Sequence, residues 1–186
     1  IHLFNFIHDQ VTQIRKADEA ANIEAAERMG KLHDQLKEIG YTGHALEVIL
    51  IRLLFCMFAE DSGIFAKYQF REFIEQKTKP DGSDLAAQLS QLFHVLNQPY
   101  DKRLKNLDKD LADFVYINGQ LFAEFLPPAS FDDDMRLLLL EACATDWTKI
   151  SPEIFGALFQ SVMNPAERRA LGAHYTGEDN ILKAGC

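Results

Sequence analysis

Between His44 and Asp61 the chain is apolar around nearly the whole circumference of a helix. Leu46, Leu50, Leu53 and Met57 recur at intervals of four, three and four, and Val48, Ile49, Ile51, Leu54, Phe55 and Phe58 fill most of the remaining directions. A helix without a polar face has to lie among other helices. The run from Val48 to Ala59 is interrupted by Arg52 and is too short to span a bilayer. A guanidinium buried without a partner is costly, so Arg52 is expected to meet a carboxylate or to reach a surface. Gly63, after Glu60-Asp61-Ser62, ends the helix.

The flanking segments supply the helices it needs. Ala25, Met29, Leu32, Leu36 and Ile39 form a heptad-like seam that Gly40 stops, and the short link Gly40-Tyr-Thr-Gly43 turns the next helix back antiparallel. A short helix over Tyr68–Lys77 turns Phe70, Phe73 and Ile74 inward. After the turn Lys79-Pro-Asp-Gly-Ser83, Ser83 or Asp84 caps a helix carrying Leu85, Leu89, Leu92, Phe93 and Leu96. The charged run 100–113 reads as a solvated segment or short helix. Phe114 to Phe122 has strand-like character around Asn118-Gly119, and is expected to be irregular because one short apolar turn makes no sheet. Beyond Leu126-Pro-Pro-Ala129, Ser130 with Asp133 predicts a capping box, Ser151-Pro152 opens a helix with Ile154, Phe155, Leu158 and Phe159 on one face, and Asn164-Pro165 opens another that Gly172 ends. The first residues, with Leu3, Phe4, Phe6, Ile7, Val11 and Ile14, suit a packed lead-in helix. The expectation is an all-α fold, an irregular bundle of about seven to nine helices around a buried central helix at residues 44–61.

Length and charge narrow the function. A chain of 186 residues can bury roughly 70% of its unfolded surface and needs no metal or disulfide. Cys56, Cys143 and Cys186 are odd in number and far apart, so they are expected to be reduced, two of them as core fillers. With no secretory leader pattern at Ile1, a cytoplasmic location is expected, without membrane association. The net charge of −9 opposes phosphate neutralisation, so this region is expected to bind DNA weakly or not at all by itself.

Most candidate chemistry has a plainer explanation. Asn97-Gln-Pro-Tyr100 resembles the Asn-Pro-Pro-Tyr loop of amino-methyltransferases, but Gln98 replaces a proline and a helix end before Pro99 accounts for it. Glu75-Gln-Lys77 and Pro80-Asp81 occur in the wrong order for a metal-dependent nuclease. Asp132-Asp-Asp134 is the acidic first turn of a helix. His2, His8, His33, His44 and His94 show no ligand spacing, and His33 and His94 are expected at a helix surface or boundary. No catalytic or metal-binding residue is assigned.

Four stretches carry a resemblance: 51–65 (Ile-Arg-Leu-Leu-Phe-Cys-Met-Phe-Ala-Glu-Asp-Ser-Gly-Ile-Phe), 116–122 (Tyr-Ile-Asn-Gly-Gln-Leu-Phe), 146–156 (Asp-Trp-Thr-Lys-Ile-Ser-Pro-Glu-Ile-Phe-Gly) and 167–176 (Glu-Arg-Arg-Ala-Leu-Gly-Ala-His-Tyr-Thr). Together and in this order they resemble the MmeI-like restriction–modification enzymes, which join a nuclease, a helical spacer, an N6-adenine methyltransferase and a target-recognition domain. The resemblance implies that residues 1–16 lead in from the nuclease side, that 17–163 are the spacer, and that 164–186 begin the methyltransferase domain. It implies that His174, Tyr175 and Thr176 belong to the first methyltransferase motif, the one lying against S-adenosylmethionine. The Gly-rich cofactor loop, the Asn-Pro-Pro-Tyr loop and the nuclease carboxylates are not in this sequence.

The sequence is therefore expected to be part of a longer enzyme that uses S-adenosylmethionine, with Mg²⁺ for an attached nuclease. Its partners would be DNA and the flanking domains of the same chain. The isolated region is expected to hold no cofactor and to have no activity. The alternatives are a free-standing helical interaction module, or the same region of a nuclease-free phage-defence methyltransferase.

Overall fold

The structure, a computed structural model, describes residues 20–150 apart from 22. Those residues form six α-helices and two short 3₁₀ turns, with no strand among them. In order they are α1 (23–38), α2 (Gly43–Asp61), α3 (Gln69–Lys77), α4 (Leu85–Leu96), α5 (Lys109–Ala112) and α6 (Asp133–Cys143), with 3₁₀ turns at Tyr100–Lys102 and Trp147–Lys149. The all-α expectation holds. The expected lead-in helix and the helices expected after Ser151 lie outside the described residues.

α2 is the centre. Its buried residues are Leu46, Ile49, Leu50, Arg52, Leu53, Leu54, Cys56, Met57, Ala59 and Glu60, which fall on more than one face. Along α1, Ala25, Met29, Leu32 and Leu36 are fully buried against the same core, but Ile39 is exposed. The chain has left the helix there: Gly40 takes φ +96°, its N–H reaches Lys37 O at 3.0 Å, and Tyr41 N–H reaches Leu36 O at 3.0 Å. That pair of bonds is a Schellman stop, and it carries Ile39 out of the seam.

Edge-to-face rings bind the irregular segment 114–122 to the helices. Phe65 and Phe73 meet Phe114 at 5.1 and 5.8 Å, and Phe55 meets Phe122 at 5.6 Å. Ile117 N–H also reaches Leu96 O at 2.9 Å. The strand-like apolar pattern thus serves to anchor a connecting segment rather than to pair it in a sheet.

One predicted cap is corrected, and a second holds in position but without a side-chain bond to its helix. α6 is capped by Asp132, whose carboxylate accepts from Met135 N–H at 2.8 Å, and not by Ser130. Burial of Phe131 holds the chain extended past Ser130, so the helix starts two residues later. Asp84 stands at the N-cap of α4 but its carboxylate accepts from Lys79 N–H at 2.7 Å, closing the preceding turn. In that turn Gly82 has φ +73°, and a Cβ there would fall 2.4 Å from Asp132 O, so only glycine lets the turn sit on the start of α6.

His33 is a further correction. It is buried, with Nδ1 3.0 Å from Asp34 Oδ1, because its position on α1 lies beside the Leu32–Leu36 seam rather than on the water-facing side.

Candidate functional site

The polar residues of α2 do the joining in this bundle, and they do it at two places. At its C-terminal end Glu60 is buried and its Oε2 accepts from Arg71 N–H at 2.8 Å, in the first turn of α3. A carboxylate set against the free N–H groups of a helix start satisfies groups that the helix itself cannot. Burial raises the Glu60 pKa above the ordinary value; the N–H groups of Arg71 and Phe70 pull it back, and neighbouring Asp61 adds to the rise. Asp61 Oδ2 accepts from Trp147 N–H at 2.8 Å. Its pKa is also raised, first by burial and then by Asp146, against the Trp147 N–H. Trp147 is completely buried and its indole N–H donates to Ala142 O at 3.0 Å. Arg28 of α1 closes the same end by donating to Glu141 O at 2.7 Å and Thr145 Oγ1 at 3.0 Å.

Arg52, halfway along α2, forms no ion pair with a carboxylate among the described residues; it is 2% exposed and lines a cleft. Its Nε donates to Leu121 O at 2.9 Å and its Nη2 to Glu124 O at 2.6 Å. The guanidinium carbon lies 5.4 Å from the Phe93 ring centre and 5.7 Å from that of Phe122. Carbonyl dipoles and ring faces stabilise a cation that would be costly alone. Burial lowers its pKa, with Glu124 and Tyr41 opposing.

Around Arg52 is a cleft of about 160 Å³ between α2, α4 and the 122–129 segment. Its walls include Tyr41, Ile49, Leu89, Phe93, Phe122 and Leu126. The segment is held at its rim by Tyr41 OH donating to Pro127 O at 2.7 Å and by His44 Nε2 at 2.7 Å from Glu124 Oε2. Phe125, beside these anchors, is 89% exposed.

Two more arginines work as Arg52 does, and neither was singled out in the sequence. Arg103 donates to four backbone carbonyls, those of Val95, Gln98, Ala112 and Phe114, and its guanidinium stacks 4.5 Å from the Tyr100 ring centre. Arg136, buried, donates to Thr78 Oγ1 at 2.9 Å and to Ile74 O and Glu75 O at 3.4 Å, tying α6 to the end of α3. For Arg136 a signal was available, since it shares the 136, 139 and 143 register of the buried α6 face. For Arg103 there was none among the surrounding charges.

The other candidates take the plainer roles. Asn97 is the C-cap of α4 and Tyr100 opens a 3₁₀ turn, so Asn97-Gln-Pro-Tyr100 is a helix exit. Glu75 pairs with Arg71 at 3.0 Å, and Lys77 pairs with Asp110 at 2.8 Å and Asp108 at 3.3 Å. Asp133 and Asp134 lie in the first turn of α6. His44 and His94 are exposed, and no group of three or more His, Cys, Asp or Glu could hold a metal among the described residues. Cys56 and Cys143 are free and buried, and burial raises both thiols well above their ordinary pKa, as suits core fillers. No described helix is long and apolar enough to cross a membrane. His174, Tyr175 and Thr176 lie outside the described residues.

Fold and site together define a helical connecting region, with its polar chemistry spent on joining segments. A family model described as "MmeI, helicase spacer domain" matches residues 44–122. A solved structure of the type IIL restriction–modification enzyme MmeI in complex with DNA is 65% identical, with a TM-score of 0.73, covering 87% of this chain and 22% of that one. DNA methyltransferase A of Bacillus subtilis (strain 168) is 40% identical over 167 residues, 88% of this chain and 19% of the relative. The chain spans about a fifth of the length of these relatives. It belongs to the MmeI-like family, as the region that carries the helical spacer.

Three of the four stretches that carried the resemblance meet at α2. Stretch 51–65 holds 116–122 through Arg52 on Leu121 O and through Phe55 on Phe122, and it holds 146–150 through Asp61 on Trp147 N–H. Each of the three is one side of a joint.

Proposed function

We propose that this region is the rigid spacer of a long restriction–modification polypeptide that transfers a methyl group from S-adenosylmethionine to the N6 of adenine in DNA. The observation that carries this reading is 65% identity to MmeI over 87% of the chain, on a matching fold. The spacer would comprise residues 17–163, led into by 1–16 from the nuclease side and followed by a methyltransferase domain that starts at 164–186. S-adenosylmethionine would supply the methyl group. His174, Tyr175 and Thr176 are the residues of this chain proposed to lie against it, offering backbone groups, a hydroxyl and an aromatic wall. Mg²⁺ would serve an attached nuclease. The flanking domains of the same chain and DNA are its partners, in the cytoplasm.

A fixed distance between domains requires a spacer that does not flex internally. Arginines bonded to backbone carbonyls at several points per side chain, and carboxylates bonded to backbone N–H groups, give that rigidity without depending on exposed ion pairs, which are worth little.

The full-length polypeptide should methylate adenine in DNA with labelled S-adenosylmethionine, and the purified 186-residue chain should not. Methylation by the 186-residue chain would sink the reading. Within the full-length polypeptide, Tyr175→Ala should weaken S-adenosylmethionine binding, measured by calorimetry; unchanged affinity would remove Tyr175 from the proposed contacts.

A second reading drops the nuclease. It is favoured by the Bacillus subtilis relative, whose name describes a methyltransferase alone. Incubating unmethylated DNA with the full-length polypeptide and Mg²⁺ separates the two: cleavage supports the first reading, methylation without cleavage the second.

A further inference from the structure

The two ends of α2 differ in what they leave open. Arg28 bonded to Thr145, and Trp147 bonded to Asp61, close the C-terminal end of α2. The opposite end, where Tyr41 and His44 hold Glu124 and Pro127, leaves an open cleft with Phe125 at its rim.

Phe125 is 89% exposed, yet the backbone on both sides of it is tied: Glu124 O accepts from Arg52 and Pro127 O accepts from Tyr41. An exposed aromatic carried on backbone that is already held costs little ordering of its loop on binding, which suits an interface anchor. The cleft floor adds a charge requirement. Arg52 lines it, is 2% exposed, and spends Nε and Nη2 on carbonyls, while Nη1 makes no hydrogen bond among the described residues and keeps its contact with solvent. No described carboxylate forms an ion pair with Arg52, and the Glu124 carboxylate is engaged by His44. A buried cation with donors to spare, between aromatic walls, is complementary to a carboxylate that arrives with apolar neighbours.

We propose that this cleft is an intramolecular docking surface. Its occupant is an apolar segment bearing one carboxylate, from a part of the same long polypeptide outside residues 20–150. Phe125 anchors it and Arg52 Nη1 takes the carboxylate. The occupant is sought in the same polypeptide because this chain covers only 22% of the MmeI chain it matches, so most of such a polypeptide is available to cover the cleft. The proposal rests on the reading that the region works inside that longer polypeptide.

The test is photo-cross-linking of the full-length polypeptide carrying Phe125→p-benzoylphenylalanine, with peptides mapped by mass spectrometry. The expected product joins position 125 to a peptide outside residues 20–150 of the same molecule, with Asp or Glu among apolar residues. Replacing that acid by its amide, or Arg52→Lys, should cut the yield several-fold. Cross-links between two copies, to a separate protein, within residues 20–150 only, or none at all would overturn the proposal, and so would a yield indifferent to both replacements. Because position 125 is exposed, the photoreactive variant should unfold at the wild-type temperature, which shows that a missing product does not come from misfolding. Assaying the same preparation for DNA methylation keeps the two ideas apart. Methylation without the cross-link sinks docking alone; the cross-link without methylation sinks the enzymatic reading alone.

Discussion

The Asp61 end of α2 and the Arg52–Phe125 side of the same helix are built from similar parts and finished differently. At Asp61 the carboxylates of residues 60 and 61 meet backbone N–H groups, and a fully buried tryptophan seals the joint. Around Arg52 the charge meets backbone carbonyls, but a donor, a cleft and an exposed phenylalanine remain. The first arrangement is complete within residues 20–150. The second is complete only as far as holding its own loop. The contrast separates residues that make the bundle rigid from residues that face another part of the polypeptide.

The comparison breaks first at the closed end. Trp147→Ala, which empties a fully buried site, should lower the stability of the 186-residue chain by about 3–5 kcal/mol, read from urea unfolding. A loss under 1 kcal/mol would mean that this end is not a sealed joint. Arg52→Met leaves the Leu121 and Glu124 carbonyls without donors and should cost about 1–3 kcal/mol. Faster amide exchange should appear over 117–128 and not over 145–150; the reverse pattern would tie Arg52 to the closed end instead.

Glu60→Gln sharpens the account through pH. The folded pKa of Glu60 lies above its unfolded value, so the stability linked to its protonation is fully present below the ordinary carboxylate pKa and is lost as pH rises through the raised one. Wild-type stability relative to E60Q should therefore fall as pH rises from about 4 to 7. A flat difference would show that the carboxyl is not held in a desolvated setting. The smallest effect belongs to Phe125→Ala, which should change the stability of the 186-residue chain by no more than about 0.5 kcal/mol, in thermal or urea unfolding. A larger loss would make Phe125 part of the bundle and remove the contrast.

Much of the bundle was legible in the sequence because its signals are local. The apolar circumference of 44–61 placed α2 to within one residue, and Gly40 stopped α1 as expected. What failed was decided by tertiary contact. Ser130 and Asp132 can both cap, and burial of Phe131 with the close approach of Gly82 to Asp132 chose the second. The acceptors of Arg52 were invisible because every residue carries a carbonyl, and no sequence pattern marks which two are brought to a guanidinium. The open cleft has no sequence signature either, since Phe125 in a Phe-Leu-Pro-Pro run looks like any loop aromatic. Of the proposed cofactor residues, His174, Tyr175 and Thr176, the sequence resemblance is the sole support.

Hydrogen exchange compared between the 186-residue chain and the full-length polypeptide tests the contrast most directly. Residues 121–128 should be protected more slowly-exchanging in the full-length polypeptide than in the 186-residue chain, while 59–61 and 142–150 exchange alike in both. Equal exchange over 121–128 in the two, or a change confined to the Asp61–Trp147 joint, would contradict the account.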